Sequence, residues 1–113
     1  MEGISFLYGA ERLEVEDGMC LRLLSAREVL EARREAETLA QGEKERALCA
    51  NACLLARALE REGQAVFASG AAVLEGMTPR RIGALARRWA AFDRGENPGA
   101  GDGEERCLAL KKA

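Results

Sequence analysis

The apolar positions of this chain follow two periods, and each period predicts a different element. Residues 4–8 (ISFLY) and 12–16 (RLEVE) are short segments separated by Gly9, Ala10 and Glu11, and the second alternates Leu13 and Val15 with charged residues. A period of two around a short polar break predicts a β-hairpin. Asp17-Gly18 is a second turn signal, after which MCLRLL either adds a third short strand or leads into the next helix.

From Ser25 onward the period becomes helical. Ser25 and Glu28 have the spacing of a capping box, in which the Ser hydroxyl accepts from the N3 amide and the Glu carboxylate accepts from the N-cap amide. The first helix is therefore predicted over about 26–41, with Val29, Ala32, Ala36, Leu39 and Ala40 on its buried stripe and Arg27, Glu31, Arg34 and Glu35 on its solvated side. A second helix is predicted over about 43–62, with Gly63 as the residue just past its end. Between Ala47 and Leu59 only Asn51 and Arg57 are polar, so this helix needs cover on nearly every side. Gln64 to Ala68 reads as extended, and Ser69-Gly70 opens a brief helix over Ala71 to Glu75.

The last helix has the clearest boundaries. Thr78 is an N-cap residue, Pro79 suits the first helical position, and the Gly95 to Pro98 segment stops it, giving about 79–94. At about 100° per residue, Ile82, Leu85, Ala86, Trp89 and Phe92 fall on one face, and Arg80, Arg81, Arg87, Arg88 and Arg94 fall away from it. The elements together predict an α+β chain, mainly α. An N-terminal β-hairpin is followed by three main helices (about 26–41, 43–62 and 79–94) in one domain of residues 1–94. Residues 95–113 are read as a flexible, disordered tail rich in Gly and acids.

Composition fits close helix packing. Of 113 residues 48% are hydrophobic but only 4% aromatic, and alanine is the commonest, which favours helices that approach closely over sheets packed through large rings. The formal charge of −2 hides a gradient, because the last helix carries five arginines against the single acid Asp93 while the chain before it is acidic. Four cysteines occur with no leader-like segment at the N-terminus, which points to a reducing cytosol, and no apolar run has the length of a membrane span.

The chain contains no histidine, which removes the commonest general base, the Ser-His and Cys-His pairs and most catalytic zinc sites. Ser25 and Thr78 are accounted for as caps, and Glu31 and Glu35 have arginines around them rather than the partners of a carboxylate-bound metal pair. Cys49 and Cys53, four apart inside an apolar helix, read as small hydrophobic residues. No enzymatic function, cofactor or metal is expected. The patch with a partner written into it is Arg80, Arg81, Arg87, Arg88 and Arg94, since Arg is the preferred side chain for carboxylate and phosphate. Three readings are open: a solvated face neutralised by the acidic remainder of the chain, a protein partner, or nucleic acid. The pI near 5.3 disfavours the last.

The order of features resembles the tail assembly chaperones of long-tailed bacteriophages and prophages. The residues that carry the resemblance are FLYGAERLEVE, SAREVLEARREAETLA, ALCANACLLARALEREG with the following AVFASGAAVLEGM, and TPRRIGALARRWAAFDRGENPG, which together cover residues 4 to about 99. The resemblance implies a small non-enzymatic protein of the host cytoplasm that binds the phage tape-measure protein and keeps it soluble until tube subunits polymerise around it. The tail tube protein and further copies of this chain are its other candidate partners. A phage-encoded regulator or inhibitor, binding a nucleoprotein or an acidic protein through the arginine-rich helix, is the alternative.

Overall fold

The computed structural model describes residues 11–95. A strand β1 (Arg12–Glu14) leads through a 3-10 turn (Glu16–Gly18) into β2 (Met19–Arg22), and two long helices follow, α1 (Ala26–Leu39) and α2 (Glu43–Ala58). The chain then makes a second hairpin, β3 (Leu59–Arg61) and β4 (Gln64–Ala65), and ends in a short helix α3 (Gly70–Gly76) and the basic helix α4 (Pro79–Asp93). The fold is α+β and mainly helical. The proposed strand at 4–8 and the tail beyond residue 95 lie outside the described residues. Among the described residues no helix is long and apolar enough to cross a membrane.

Of the two options left open for MCLRLL the strand is found, and the end of the second helix is corrected. The described hairpin pairs β1 with β2, in register Arg12↔Arg22, Leu13↔Leu21 and Glu14↔Cys20, so Asp17-Gly18 is its turn and Met19–Arg22 is a strand. Asp17 and Gly18 both have positive φ, 64° and 73°, as a tight reversal of this kind requires. The second helix also ends four residues earlier than its pattern predicts. Leu59–Arg61 has helix-forming residues, but β2 offers it an antiparallel edge in register Leu21↔Leu59 and Cys20↔Glu60. Glu62 and Gly63, with φ of 54° and 80°, form the two-residue turn to β4. Gly63 is thus a hairpin glycine and not a helix cap. Tertiary pairing overrides local propensity here.

The four strands form one antiparallel sheet in the order β1-β2-β3-β4. Its apolar positions, Leu13, Met19, Leu21 and Leu59, join the main core with Ala52, Leu55, Ala56 and Ala58 of α2, Val73 of α3, and Ile82, Leu85 and Trp89 of α4. The α2 helix is the centre of this arrangement, packing against α1, α3, α4 and β2. A second, smaller cluster seams α1 to α2 through Ala32, Ala36, Cys49 and Cys53. These side chains are small, so the two helices approach closely; Cys49 and Cys53 are buried there as apolar residues.

Three helix starts follow their sequence signals. Ser25 Oγ accepts from Glu28 N at 3.2 Å while Glu28 Oε1 accepts from Ser25 N at 2.9 Å, completing the capping box. Ser69 Oγ accepts from Ala72 N, and Thr78 Oγ1 accepts from Arg81 N, each at 3.2 Å. Met77, just before the Thr78 cap, packs against the main core.

The start of α3 is held against α2 by the absence of a side chain at Gly70. A Cβ there would collide with Cys53 Sγ and lie 3.1 Å from the Cys53 Cα and 3.2 Å from Glu35 Oε2. Gly70→Ala is expected to destabilise the protein by about 1–3 kcal/mol, the usual cost of overpacking a close seam. Adding Cys53→Ala removes the sulfur and should recover part of that loss. Chemical denaturation of the single and double variants measures both effects, and strictly additive losses would contradict this packing.

Candidate functional site

The arginine-rich helix α4 is fixed by its apolar face. Ile82, Leu85 and Trp89 are buried, and Trp89 also donates from Nε1 to the Arg22 carbonyl at 2.8 Å, tying the helix to β2. Burying three such side chains contributes about 1.5–3 kcal/mol each as gross apolar transfer. Ala86 and Phe92, placed on the same face by their spacing, are only half-buried, so the anchoring stripe is narrower than the sequence predicts.

The five arginines do not form one patch. Arg81 and Arg88, seven residues apart, lie on the flank that faces the β1–β2 turn. Arg81 Nη2 is 3.5 Å from Glu16 Oε2 and 3.3 Å from Asp17 Oδ2, and Arg88 Nη1 is 3.0 Å from Glu16 Oε1. Arg88 Nη2 also donates to the Glu14 carbonyl at 3.3 Å. The Glu16 carboxyl is held below the ordinary Glu range, first by its own backbone N–H and then, against a burial effect of opposite sign, by Arg81 and Arg88. These are surface pairs, with Glu16 44% and Asp17 66% exposed, so each is worth no more than about 1 kcal/mol. Their effect is to neutralise one row of the patch.

Arg80 and Arg87 point elsewhere. At 100° per residue they lie opposite the Ile82–Leu85–Trp89 stripe, both are exposed, and neither makes an ion pair among the described residues. Arg94 caps the C-terminal end of α4, donating its backbone N–H to Ala90, and its side chain is exposed. Of the five residues singled out by sequence, the structure sets Arg81 and Arg88 against the hairpin turn and leaves Arg80 and Arg87 facing outward. Glu16 and Asp17 were not foreseen as their counterions. The signal available for them was the acidic EDG turn of an acidic N-terminal half, without any indication of which helix lies beside it.

Glu35 is also corrected. Its spacing on α1 suggested a solvated carboxylate, yet Oε1 accepts from Arg57 Nη1 at 2.7 Å and Oε2 accepts from the Gly70 backbone N–H at 2.8 Å. Glu35 thereby joins α1, α2 and the start of α3. Burial acts to raise its pKa, but Arg57 and the Gly70 N–H outweigh burial, and the carboxyl lies below its ordinary value. The neighbouring Cys53 thiol is pushed up to about 12, chiefly by burial and then by the Glu35 charge, so it stays protonated beside that carboxylate. A comparable junction ties the sheet to α1. Arg22 donates from Nη2 to Glu28 Oε2 at 2.7 Å, and its Nε lies 3.2 Å from Glu60 Oε2, while Arg12 Nε lies 3.2 Å from Glu60 Oε1. Glu60 is thus shared by the two arginines that face each other across β1 and β2.

The hydroxyls of the described residues serve structure in the same way. Ser25, Ser69 and Thr78 are caps, and Thr38 Oγ1 donates to the Arg34 carbonyl at 3.2 Å. What the surface offers chemically is recognition of an anion by guanidinium groups on a fixed helix. The chain matches no protein-family model, and no curated protein or solved structure matches it.

The carboxyl shifts give a pH dependence with a defined sign. Glu28 is lowered by its hydrogen bond from Arg22, and Glu35 by Arg57 and Gly70 acting against burial, so both bind protons less readily folded than unfolded. Their stabilisation is complete above the ordinary Glu pKa of about 4.3 and is lost as pH falls through the lowered folded values. Melting temperature should therefore fall as pH drops from 5 towards 2. Glu35→Gln should melt lower than wild type at pH 7 and lose less on acidification; an unchanged acid-induced loss in circular-dichroism melts would exclude this role for Glu35.

Proposed function

We propose that this chain is a non-enzymatic tail assembly chaperone of a phage or prophage, which binds the tape-measure protein in the host cytoplasm and keeps it soluble during tail assembly. The observation that carries this reading is the order of elements along residues 11–95: a short hairpin, two long helices, a brief capped helix and a basic last helix. The helices, save the first turn of α2, and β1 fall within the segments on which the sequence resemblance rests, while β2 (Met19–Arg22) lies outside them. The folded unit supports it in a second way. Its titratable groups at Glu28, Glu35 and Glu60 are engaged in ion pairs that join elements, while exposed positive charge is displayed on α4. This layout supports the binding reading.

The mechanism is binding alone. A long, helix-rich partner exposes apolar and charged faces before it is packed into a tube, and a small charged protein bound along it prevents those faces from pairing with one another. The tail tube protein and further copies of the chain are secondary candidate partners. The alternative, a regulator that binds an acidic protein or a nucleoprotein through α4, draws on the same arginines. Co-expression with the tape-measure protein of the same genome separates them. We expect that protein to copurify with this chain and to shift from the insoluble to the soluble fraction; a tape-measure protein that stays insoluble rules the proposal out.

A further inference from the structure

We propose that the acidic stretch shortly after α4, Asp102-Gly103-Glu104-Glu105, folds back on the outward row of that helix and pairs with Arg80 and Arg87, as the Glu16-Asp17 turn pairs with Arg81 and Arg88. This contact lies beyond the chaperone reading and does not depend on it, since any acidic partner of this face has to displace a segment of the chain's own.

The inner row of α4 shows what such arginines take. Glu16 lies 3.0 Å from Arg88 Nη1 through Oε1 and 3.5 Å from Arg81 Nη2 through Oε2, so one carboxylate of a tight turn bridges two arginines seven residues apart. Asp17 adds a contact to Arg81 at 3.3 Å, and the turn closes through Asp17 and Gly18 with φ of 64° and 73°. Arg80 and Arg87 repeat the spacing one position earlier, both exposed and neither with an ion pair among the described residues. Arg87 also reaches back over Gly83, where an added Cβ would lie 3.4 Å from its Nη1, which brings its guanidinium towards Arg80.

The sequence contains a second acidic turn signal of this kind. Asp-Gly occurs at Asp17-Gly18 and again at Asp102-Gly103; Glu16 precedes the first, and Glu104 and Glu105 follow the second. From Glu96 to Glu105 the acids are Glu96, Asp102, Glu104 and Glu105, with no base among them, so a strongly negative stretch follows directly on a helix whose only acid is Asp93, at its last position. The other exposed arginines are already in mixed company: Arg27, Arg33 and Arg34 of α1 and Arg46 of α2 each have an exposed acid one turn away, among Glu31, Glu37 and Glu43.

The tether puts this stretch within reach of the row. The midpoint between Arg80 and Arg87 lies about 17 Å back along α4 from Gly95, at about 1.5 Å per residue. The chain from Gly95 to Asp102 spans up to about 23–25 Å when extended. Gly95, with φ of 85° and its N–H donated to the Phe92 carbonyl, takes the chain off the helix axis, so the following residues do not prolong α4. A segment held on the same chain by so short a connection is present at an effective concentration on the order of millimolar. Exposed ion pairs of no more than about 1 kcal/mol each then suffice for partial occupancy.

The test compares full-length wild type with a tail variant, Asp102→Asn with Glu104→Gln and Glu105→Gln, by NMR. At an ionic strength of about 0.01 M, where the Debye length is about 30 Å, the Nε–Hε signals of Arg80 and Arg87 should differ between the two proteins while those of Arg33 and Arg34 coincide. At about 1 M, where the Debye length is about 3 Å, the difference should vanish. In the reverse direction, Arg80→Gln with Arg87→Gln should shift the backbone amide signals of Gly101, Gly103 and Glu104, and Arg33→Gln with Arg34→Gln should leave them in place. The tail variant alters none of the described residues, so it reads the contact even if the helix variant melts lower. All these shifts should be independent of protein concentration. Shifts that grow with concentration assign the contact to the tail of a second copy and overturn the proposal, as do equal movement of every exposed arginine and no movement of Arg80 and Arg87.

Discussion

A helix that is apolar on nearly every side cannot lie on a surface, and the rest of this structure follows from covering α2. Ala52, Cys53, Leu55, Ala56 and Ala58 are all buried, at angles too widely spread for one neighbour to cover. The chain supplies α1 on one side, α3 and α4 on others, and the sheet through β2. Each cover meets a different part of the α2 surface. Against α1 the contact is made of alanine and cysteine, which brings the backbones close and makes Gly70 necessary where α3 begins beside Cys53. Against α4 and the sheet it is made of leucine, isoleucine and tryptophan, which provide most of the buried apolar area.

Bringing four elements around one helix also brings charges together, and the ion pairs lie at the joints between elements. Glu35 of α1 meets Arg57 of α2 and the first amide of α3; Glu28 of α1 meets Arg22 of β2; Glu60 of β3 sits between Arg12 and Arg22. Individually such half-exposed pairs stabilise modestly. Their larger consequence is geometric, because removing one partner leaves two arginines facing each other across β1 and β2, or a carboxylate beside a buried thiol. Apolar burial alone would allow α1 to rotate or slide along α2, and these directional contacts select one register.

What could be read from the sequence divides along the same line. Local signals were legible: the Ser25 and Thr78 caps, the Ser69-Gly70 start, the all-apolar centre of α2 and the two faces of α4 each follow from residues within one or two turns of one another. The sharing of a single core helix by all the others was legible as well, from Ala47 to Leu59. The end of α2 was not, since Leu59–Arg61 becomes a strand only because Met19–Leu21 is placed beside it, and nothing within those residues encodes that pairing. Glu35 was misread for the same reason, its partners being 22 and 35 residues away. For the candidate site, the sequence identified the five arginines but could not divide them, because the division depends on where the turn at Glu16 and Asp17 lies in space.

That division leaves an electrostatic imbalance at one end of α4. The first turn of a helix carries exposed N–H groups and a partial positive charge, which makes cations there unfavourable by about 0.3–1 kcal/mol. Arg80 and Arg81 both occupy that turn, and the turn holds no acid of its own. For Arg81 the hairpin carboxylates offset the cost at 3.3 and 3.5 Å, while nothing among the described residues does so for Arg80. A carboxylate arriving from outside would therefore gain twice, from the guanidinium and from the helix end behind it, with no rearrangement of the backbone, because Ile82, Leu85 and the Trp89 indole already hold α4 in place. The same anchoring that covers α2 keeps this row of charge on a rigid helix, so that the apolar face of one element fixes where its opposite, charged face lies.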